Sequence, residues 1–425
     1  MEIFDREHEL AQLTDALERV SRADGVVVAL LGEAGIGKSS LARKFMETIG
    51  QDVRVLRGYC DDLGIAEPLG VLRDLAREAG IELNEDLAEP GTRLGAFSKV
   101  FDGFFATRGP TLVLVEDVHW ADDATVDFLR FLTRRIAGTR LMLVLTARSD
   151  GALGRYKVRR IMGDAISHDA IRLELGPLSQ ETIARLAEDA GANADQLKEL
   201  TGGNAFFVTE LLNSQDGRRS ESIEESVLLR ADRLGASQRE VLDTASVFPR
   251  QIERAHLSAL LGRDVDQALL SIADEGFLVL ANDAFEFRHV LVRQAINLAL
   301  PLTSRRAMNG QLLNMLKAEA GASASRLLYH AREASDDAEV TELAVKAAAE
   351  AADIGARREA RDFYRLAVEM EGAGATVELL EAAAHACHLV GSDADSIALQ
   401  TRALELHHEK LKIGNALRLR SRYHW

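Results

Sequence analysis

The string GEAGIGKS, from Gly32 to Ser39, contains residue types that hold a phosphate group. A glycine is followed by four residues, a second glycine, a lysine and a serine, which is the spacing of a known phosphate-binding pattern. Glycines let several backbone N–H groups converge on one anion, and the positive end of a following helix adds to the attraction. We therefore predict that Gly32, Gly35 and Gly37 shape a phosphate loop.

Two side chains of this loop have separate expected roles. Lys38 should reach the β- and γ-phosphates of a nucleotide, and Ser39 should ligate Mg²⁺. A structural glycine turn without a ligand is the alternative.

A magnesium–nucleotide site also needs a carboxylate at the end of a neighbouring strand. The apolar run 112–115 leads directly into Glu116 and Asp117. The first acid would hold the metal, usually through water, and the second would orient or deprotonate an attacking water. Which of the two enters the metal shell stays open, because Glu116 is longer than the usual aspartate. An exposed acidic turn is the alternative.

Arg148 follows another apolar run, 141–145. Ligands of parallel sheets bind at the carboxyl ends of the strands, so Arg148 is predicted to sense the γ-phosphate. The alternative is an ordinary surface arginine.

The elements that must position these residues follow from the hydrophobic pattern. Apolar residues recur with helical spacing between Leu10 and Val20, and an unbroken apolar run, 26–31, precedes the phosphate loop. Such a run is typical of a parallel strand covered on both faces. Further strand-like runs separated by helical patterns occur at 53–56, 112–115, 141–145 and 171–175. This alternation predicts a doubly wound parallel sheet.

Beyond Gly176 the pattern becomes helical, and the polar stretch 216–226 is predicted to be a linker or loop. Several short helical patterns follow, and then strand-like pieces at 277–280 and 284–288 around Asn282-Asp283, which favours a winged-helix domain. The predicted division is an α/β domain at 1–175, a helical lid at 176–226, a winged-helix domain at 227–305 and a helical repeat region at 306–425.

The last region contains an internal repeat. Gly355, Ala360, Tyr364 and Ala367 are echoed 36 residues later by Gly391, Ser396, Gln400 and Ala403. This period indicates tetratricopeptide-like helix pairs, and a non-repeating helical bundle is the alternative. The helical pattern still runs at the terminal SRYHW, which favours a longer protein.

Composition excludes several classes of protein. With 51 Lys and Arg against 67 Asp and Glu, the net charge is −16, which argues against a surface that grips nucleic acid. There is no membrane-length apolar run and no signal-peptide pattern. Cys60 and Cys387 are too few for a disulfide framework. We expect a cytoplasmic protein without direct nucleic-acid or membrane contact.

Taken together, the motifs resemble the STAND class of signalling P-loop ATPases, and more narrowly the ATPase half of the large LuxR-type ATP-binding regulators. The strings that carry this resemblance are FDREHELAQL, GEAGIGKSSLA, LVEDVHWADDATVDFL, LTARSD, GPLS, TGGNAFFVTELL and FRHVLVRQA, in that family's order. The resemblance implies a sheet of the ASCE type, an ADP-bound resting state, exchange for ATP when an inducer binds, self-association and slow hydrolysis.

The same resemblance assigns site residues. It implies that Gly32, Gly35, Gly37, Lys38, Ser39 and Ser40 form the phosphate loop, that Glu116 and Asp117 are the Walker B pair, and that Arg148 is the first sensor. It also places Arg6 at the nucleotide. His289 is similar to a winged-helix histidine that touches the ADP β-phosphate; the alternative is that it caps or packs a turn.

Two positions depart from the family pattern, and other residues are interpreted as structural. Asp5 stands where the family has glycine, and Ala205 stands where it has proline. His119 and Trp120 are interpreted as packing residues beside the sheet.

The leading hypothesis is an ATP-, ADP- and Mg²⁺-binding switch ATPase of a LuxR-family transcriptional regulator. Its inducer, a small molecule or a protein, would bind the helical repeats, and its output domain would lie outside this chain. Two alternatives stay open: an interaction scaffold with negligible hydrolysis, and the same module serving a kinase or cyclase.

Overall fold

The fold was obtained as a computed structural model. It describes residues 3–60, 67–83, 90–107, 109–149, 152–163, 170–213, 223–249, 251–281, 284–319, 322–406 and 417–420. The chain divides into two compact units, the first made of residues 1–61, 101–120 and 129–308, and the second of residues 62–100, 121–128 and 309–425. Within the described ranges, no helix has the length and apolarity needed to cross a membrane.

Five parallel strands form the sheet of the first unit. They are β1 (Val26–Gly32), β2 (Arg54–Tyr59), β3 (Thr111–Glu116), β4 (Leu141–Arg148) and β5 (Ile171–Glu174). Their order is β2-β3-β4-β1-β5, and every neighbouring pair is parallel. The predicted parallel sheet is confirmed. Because β4 lies between β1 and β3, the sheet has the extra central strand that defines the ASCE type.

Among the described residues, six α-helices accompany these strands along the chain. They are α1 (Glu7–Ser21), α2 (Lys38–Thr48), α3 (Gly70–Ala79), α4 (Pro90–Gly103), α5 (Asp123–Thr133) and α6 (Ala152–Gly163). Helices α1 and α2 bury Leu13, Val20 and Phe45 in one core with the strands. Each large apolar side chain so buried contributes about 1.5–3 kcal/mol, and the strands are therefore held firmly in place.

Strand register brings the predicted site residues to one edge of the sheet. Gly32 at the end of β1 pairs with Arg148 at the end of β4, and the end of β3 carries Glu116. These strands are parallel, so their carboxyl ends meet at the same edge, as the sequence predicts for a ligand site.

The rest of the first unit is mainly helical. It contains α7 (Gln180–Ala190), α8 (Ala194–Thr201), α9 (Ala205–Asn213), α10 (Ile223–Ala231), α11 (Ala236–Ala245), α12 (Arg254–Leu261), α13 (Asp266–Asp274), α14 (Val290–Ala299) and the start of α15 (Leu302–Lys317). Of the predicted linker 216–226, residues 223–226 are helical, because α10 begins at Ile223; the others lie outside the described residues. The predicted boundaries after residues 226 and 305 each fall within a helix.

A small antiparallel sheet lies among these helices. Strands β7 (Leu278–Ala281) and β8 (Ala284–Phe287) form the predicted hairpin, whose two turn residues, 282–283, lie outside the described residues. A two-residue strand that the sequence did not reveal, β6 (Gln251–Ile252), pairs with β8.

The second unit ends in helix pairs. They comprise α16 (Ala324–Ala334), α17 (Asp337–Asp353), α18 (Arg357–Glu371), α19 (Val377–Leu389) and α20 (Asp393–Leu406). Gly355 and Gly391 occupy equivalent turns with φ values of 74° and 79°, which glycine adopts without strain. The equivalent Ala360 and Ser396 are buried. The helix-pair architecture predicted from the repeat is confirmed, whereas the terminal SRYHW lies outside the described residues.

Candidate functional site

The phosphate loop has a backbone suited to an anion. Gly35 and Gly37 have φ values of 79° and 108°, in the region that favours glycine. Helix α2 follows at once, and its first hydrogen bond joins Leu41 N to Gly37 O at 2.9 Å. The N–H groups of residues 38–40 precede that bond, so they are the donors that a helix start offers to a phosphate.

Lys38 brings a positive charge into the loop itself. Its side chain is only 7% exposed. The ammonium donates to Gly32 O at 2.8 Å and to Glu33 O at 2.7 Å, so it lies among the loop's own carbonyl groups. A buried ammonium at the N-terminal end of a helix gives the loop the electrostatics of an anion site.

The predicted Walker B pair, Glu116 and Asp117, lies where β3 ends. Asp117 has a φ of 55°, uncommon for a residue other than glycine, and its N–H donates to Thr146 Oγ1 at 2.9 Å. Its carboxylate is about half exposed and lies 3.7 Å from His119 Nδ1. Glu116 is partly exposed. Both carboxylates are therefore available at the edge that carries the phosphate loop.

Thr146 is a site residue that sequence reasoning missed. It is fully buried on β4, in the strand between β1 and β3, and it fixes the turn at Asp117. The available signal was a single hydroxyl in the otherwise apolar run 141–147.

Arg148 lies directly beside the phosphate loop. It is the register partner of Gly32, and the next residue, Ser149, donates its N–H to Gly32 O at 3.2 Å. The guanidinium carbon of Arg148 is 6.0 Å from the centre of the Trp120 ring, within the range of a cation–π contact. This position is compatible with the predicted sensor role.

The start of α9 and the residue before it are hydrogen-bonded to the phosphate loop. Asn204 Nδ2 donates to Ala34 O at 2.8 Å, and Phe206 N donates to Gly35 O at 3.0 Å. A Cβ added to Gly35 would lie 2.9 Å from Asn204 Oδ1, too close for a side chain. Ala205, which stands where the family that the motifs resemble has proline, lies between the two donors, and both contacts form beside it.

His289 faces the same glycine from the start of α14. Its ring stacks on Phe206 with 4.0 Å between the ring centres and an angle of 16°. Its Nδ1 accepts the N–H of Leu291 at 3.2 Å, so the histidine caps α14. A Cβ on Gly35 would lie 3.3 Å from its Nε2. The two sequence interpretations of His289 are therefore compatible, because one ring nitrogen caps the helix while the other faces the loop.

The charge state of His289 follows from these surroundings. Burial, and then the positive charges of Lys38 and Arg148, lower its pKa from 6.5 to about 4. The ring is therefore neutral at neutral pH. Because Nδ1 accepts a hydrogen bond, the proton is assigned to Nε2, which makes this nitrogen a donor directed at the loop.

Arg6 braces the loop from the N-terminal segment. Its side chain is 6% exposed and donates to Ile36 O at 3.2 Å and to Gly176 O at 2.6 Å. The first contact holds the loop's backbone, the second reaches the segment that follows β5, and a third bond goes to Asp5 O at 2.9 Å.

Asp5, which stands where the family that the motifs resemble has glycine, adopts a φ of 55°. Its carboxylate accepts the Ser179 N–H at 2.7 Å and the Thr182 hydroxyl at 2.5 Å, so it binds the start of α7. Burial alone would raise its pKa, but the hydrogen bonds from Thr182 and Ser179 outweigh burial and lower it.

A buried ion pair connects α9 with α10. Glu210 and Arg230 lie 3.0 Å apart and are 5% and 9% exposed. The guanidinium also lies over the Phe277 ring, 4.1 Å from its centre, just before β7. Burial raises the pKa of Glu210, although Arg230 opposes that shift. The ion pair thus links α9, whose start contacts the phosphate loop, to α10. The contact with Phe277 links α10 to the start of the hairpin.

His119, which the sequence interpretation treats as a packing residue, is buried beside Trp120. His119 is 7% exposed, its ring lies against Trp120, and its carbonyl accepts from Lys157 at 3.0 Å.

Over the described part of the chain, no three His, Cys, Asp or Glu side chains are grouped so as to hold a metal. A magnesium–nucleotide site does not need such a group, since Mg²⁺ commonly takes one or two protein oxygens together with phosphate and water oxygens.

Comparison with known protein families supports a nucleotide-binding fold for the N-terminal region. Residues 2–144 match the family described as AAA ATPase domain. The fold of this region is that of a P-loop NTPase. The phosphate loop and strands β1, β2 and β3 lie within the matched residues, β4 begins there, and β5 lies beyond them.

Two further matches cover most of the chain. A solved STAND protein with a tetratricopeptide repeat sensor from Pyrococcus horikoshii is 19% identical, with a TM-score of 0.56, over 98% of this chain and 60% of that one. This likeness shows a shared fold, a P-loop NTPase core followed by many helices. An uncharacterised protein of Rhizobium meliloti (strain 1021) is 27% identical over 87% of this chain. The chain spans 43% of that relative's length.

Proposed function

We propose that this chain is the nucleotide-binding switch of a signal-transducing ATPase, with ATP and ADP as ligands and Mg²⁺ as the metal. One observation carries the proposal: Gly35 in the phosphate loop is approached by Asn204, Phe206 and His289 from two later segments of the chain. A ligand held by the loop therefore meets groups from those segments as well.

The chain's own residues supply the chemistry of such a site. The amides of residues 38–40 and the ammonium of Lys38 bind the phosphates. Ser39 and Glu116 offer the oxygen ligands for Mg²⁺, which neutralises phosphate charge when bound. Asp117 orients or deprotonates a water, and Arg148 reads the terminal phosphate. Thr146 and Arg6 position the Walker B turn and the loop, respectively.

His289 gives the switch its closed state. A neutral ring with its proton on Nε2 donates to a diphosphate at the loop, and the same ring caps α14 through Nδ1. ADP thus holds the segment from β8 to α14 against the loop, and exchange for ATP releases it. In this proposal residues 1–175 are the ATPase domain, 176–226 the lid, 227–305 the winged-helix domain and 306–425 the repeats.

The wider role is proposed from the family likeness of the motifs. An inducer binds the helical repeats, ATP-bound chains self-associate, and the output is transcription through a DNA-binding domain of the LuxR type outside this chain. The solved protein of similar fold carries a tetratricopeptide repeat sensor, which supports the repeats as the site of the signal.

Calorimetry and a phosphate-release assay test the proposal on the whole chain. We expect Mg-ADP and Mg-ATP to bind the wild type, Lys38→Ala to weaken both by at least tenfold, and Lys44→Ala, on the same helix, to leave both unchanged. Asp117→Asn should keep binding and lose hydrolysis. Wild-type binding by Lys38→Ala would refute the nucleotide site. Tight binding without measurable hydrolysis by the wild type would favour the scaffold alternative.

A further inference from the structure

Two buried carboxylates cap the same helix end in the second unit. Asp122, 2% exposed, accepts the N–H of Thr125 through Oδ1 at 2.9 Å. Glu359 on α18, 8% exposed, accepts the N–H of Asp123 through Oε1 at 3.0 Å. Both donors belong to the first turn of α5, so residues 236 positions apart in sequence meet at one helix start.

Among the described residues, the second carboxylate oxygen of Glu359 has no hydrogen-bond partner. Glu359 Oε2 is buried and accepts no hydrogen bond from any part of the chain that the structure describes. A buried carboxylate oxygen without a donor is costly when the group is ionised, and a second buried carboxylate nearby adds repulsion. A proton bound by either carboxylate neutralises one of the two charges and so reduces the repulsion.

The charged groups around Glu359 favour the same conclusion. The start of α5 contributes Asp122 and Asp123, both of which raise the pKa of Glu359. On α18, Arg358 lies 3.0 Å from Asp123 Oδ2, but its side chain is half exposed and it pairs with that neighbour. On α4, the Arg93 guanidinium donates to Ile354 O at 2.8 Å, in the turn before α18. The described contacts of both arginines thus go to other groups.

The expected titration agrees with the geometry. Burial, and then the charge of Asp122, raise the pKa of Glu359 from 4.5 to about 7, and burial also raises the pKa of Asp122. The two groups titrate as a pair. Because the folded pair binds a proton more tightly than the unfolded chain does, the contact weakens as pH rises from about 4.5 to about 7 and changes little above that.

We propose that Asp122 and Glu359 form a proton-dependent clasp that fastens α18 to the start of α5 when the pair holds one proton and loosens when that proton leaves. Asp122 lies five residues after Asp117 in the sequence, so the clasp holds the segment that follows the Walker B pair. The clasp rests on these contacts alone and does not depend on the proposed nucleotide function.

Hydrogen exchange of the whole chain tests the clasp. After correction for intrinsic exchange rates, protection of residues 357–371 in the wild type should fall on the order of 10- to 30-fold between pH 5.5 and pH 8. Glu359→Gln keeps an acceptor for the Asp123 N–H and supplies an amide donor at every pH, so its protection should stay constant. Glu369→Gln, an exposed change on the same helix, should behave as the wild type does.

Two outcomes overturn the proposal: Glu359→Gln losing protection with pH as the wild type does, or Glu369→Gln abolishing the pH dependence equally. If Glu359→Gln does not fold, Asp122→Asn is the second test, because it keeps the acceptor for Thr125 and removes the repelling charge. In Asp122→Asn, the pH at which half of the protection is lost should be about one unit lower than in the wild type. An unchanged midpoint would also refute the clasp.

Discussion

Substitution of His289 separates its two contacts. Asparagine is among the best helix N-caps, so His289→Asn should preserve the cap of α14 while removing the Nε2 donor that faces Gly35. His289→Ala removes both the cap and the donor. A matched change of an exposed histidine, His8→Asn, serves as the control.

The expected magnitudes follow from the contacts. Loss of an N-cap costs about 1 kcal/mol of folding stability, so His289→Ala should be less stable than His289→Asn by roughly that amount. Loss of a hydrogen bond to a charged group costs about 1.5–3 kcal/mol. Both variants should therefore bind Mg-ADP about 10- to 150-fold more weakly than the wild type, since 1.4 kcal/mol is a factor of ten.

The pH dependence of stability gives an independent check. The pKa of His289 is about 4 in the folded protein and 6.5 otherwise, so the folded state binds the proton less tightly. Stability should therefore be lost as pH falls from about 6.5 towards 4, by at most about 3 kcal/mol. His289→Asn should lack this component.

Calorimetric titration with Mg-ADP and thermal unfolding at pH 5 and pH 7.5 measure both effects. Wild-type ADP affinity in His289→Asn would refute the assignment of Nε2 as a phosphate donor, whatever happens to stability. An equal loss of affinity in His8→Asn would show that the effect is not specific to the loop.

Three further substitutions test the surroundings of the loop. Asp5→Ala, which removes two hydrogen bonds to the start of α7, should lower the free energy of unfolding by about 1–2 kcal/mol at pH 7 and by less below pH 3.8, as chemical denaturation at both values would show. Arg230→Met should destabilise by about 3 kcal/mol at pH 8 and by less at pH 5, where Glu210 is more readily protonated, and adding Glu210→Gln should restore much of the loss; no recovery would contradict the ion-pair account. Gly35→Ala should weaken Mg-ADP binding by more than tenfold in a titration, because its Cβ has no room, and unchanged affinity would contradict the close approach.

Local patterns sufficed for the strands around the loop. The five parallel strands begin or end within a few residues of the predicted runs, and the signal is clearest for β1, β3 and β4, which are continuous apolar segments covered on both faces. Strand β6 was missed, since two residues, Gln251–Ile252, carry no periodicity. The helical start of α10 was hidden by its charged composition, because propensity there is overridden by burial of Ser226 and Val227.

The candidate site was predictable in part. The loop glycines, Lys38 and the edge position of Glu116 and Arg148 follow from motif and sheet topology. The contacts of Asp5 with Ser179 and of Asp123 with Glu359 do not, because they join positions more than a hundred residues apart and depend on tertiary packing. The specific roles of Ser39, Ser40 and Arg6 at a nucleotide stay predictions.

The nucleotide that accompanies the purified chain tests the central claim most directly. The protein is purified without added nucleotide, denatured, and the released small molecules are identified by chromatography and mass spectrometry. A closed site held by His289 predicts ADP in the wild type and its loss in Lys38→Ala. A wild-type chain that releases no nucleotide and gives no heat with millimolar Mg-ADP would contradict the claim.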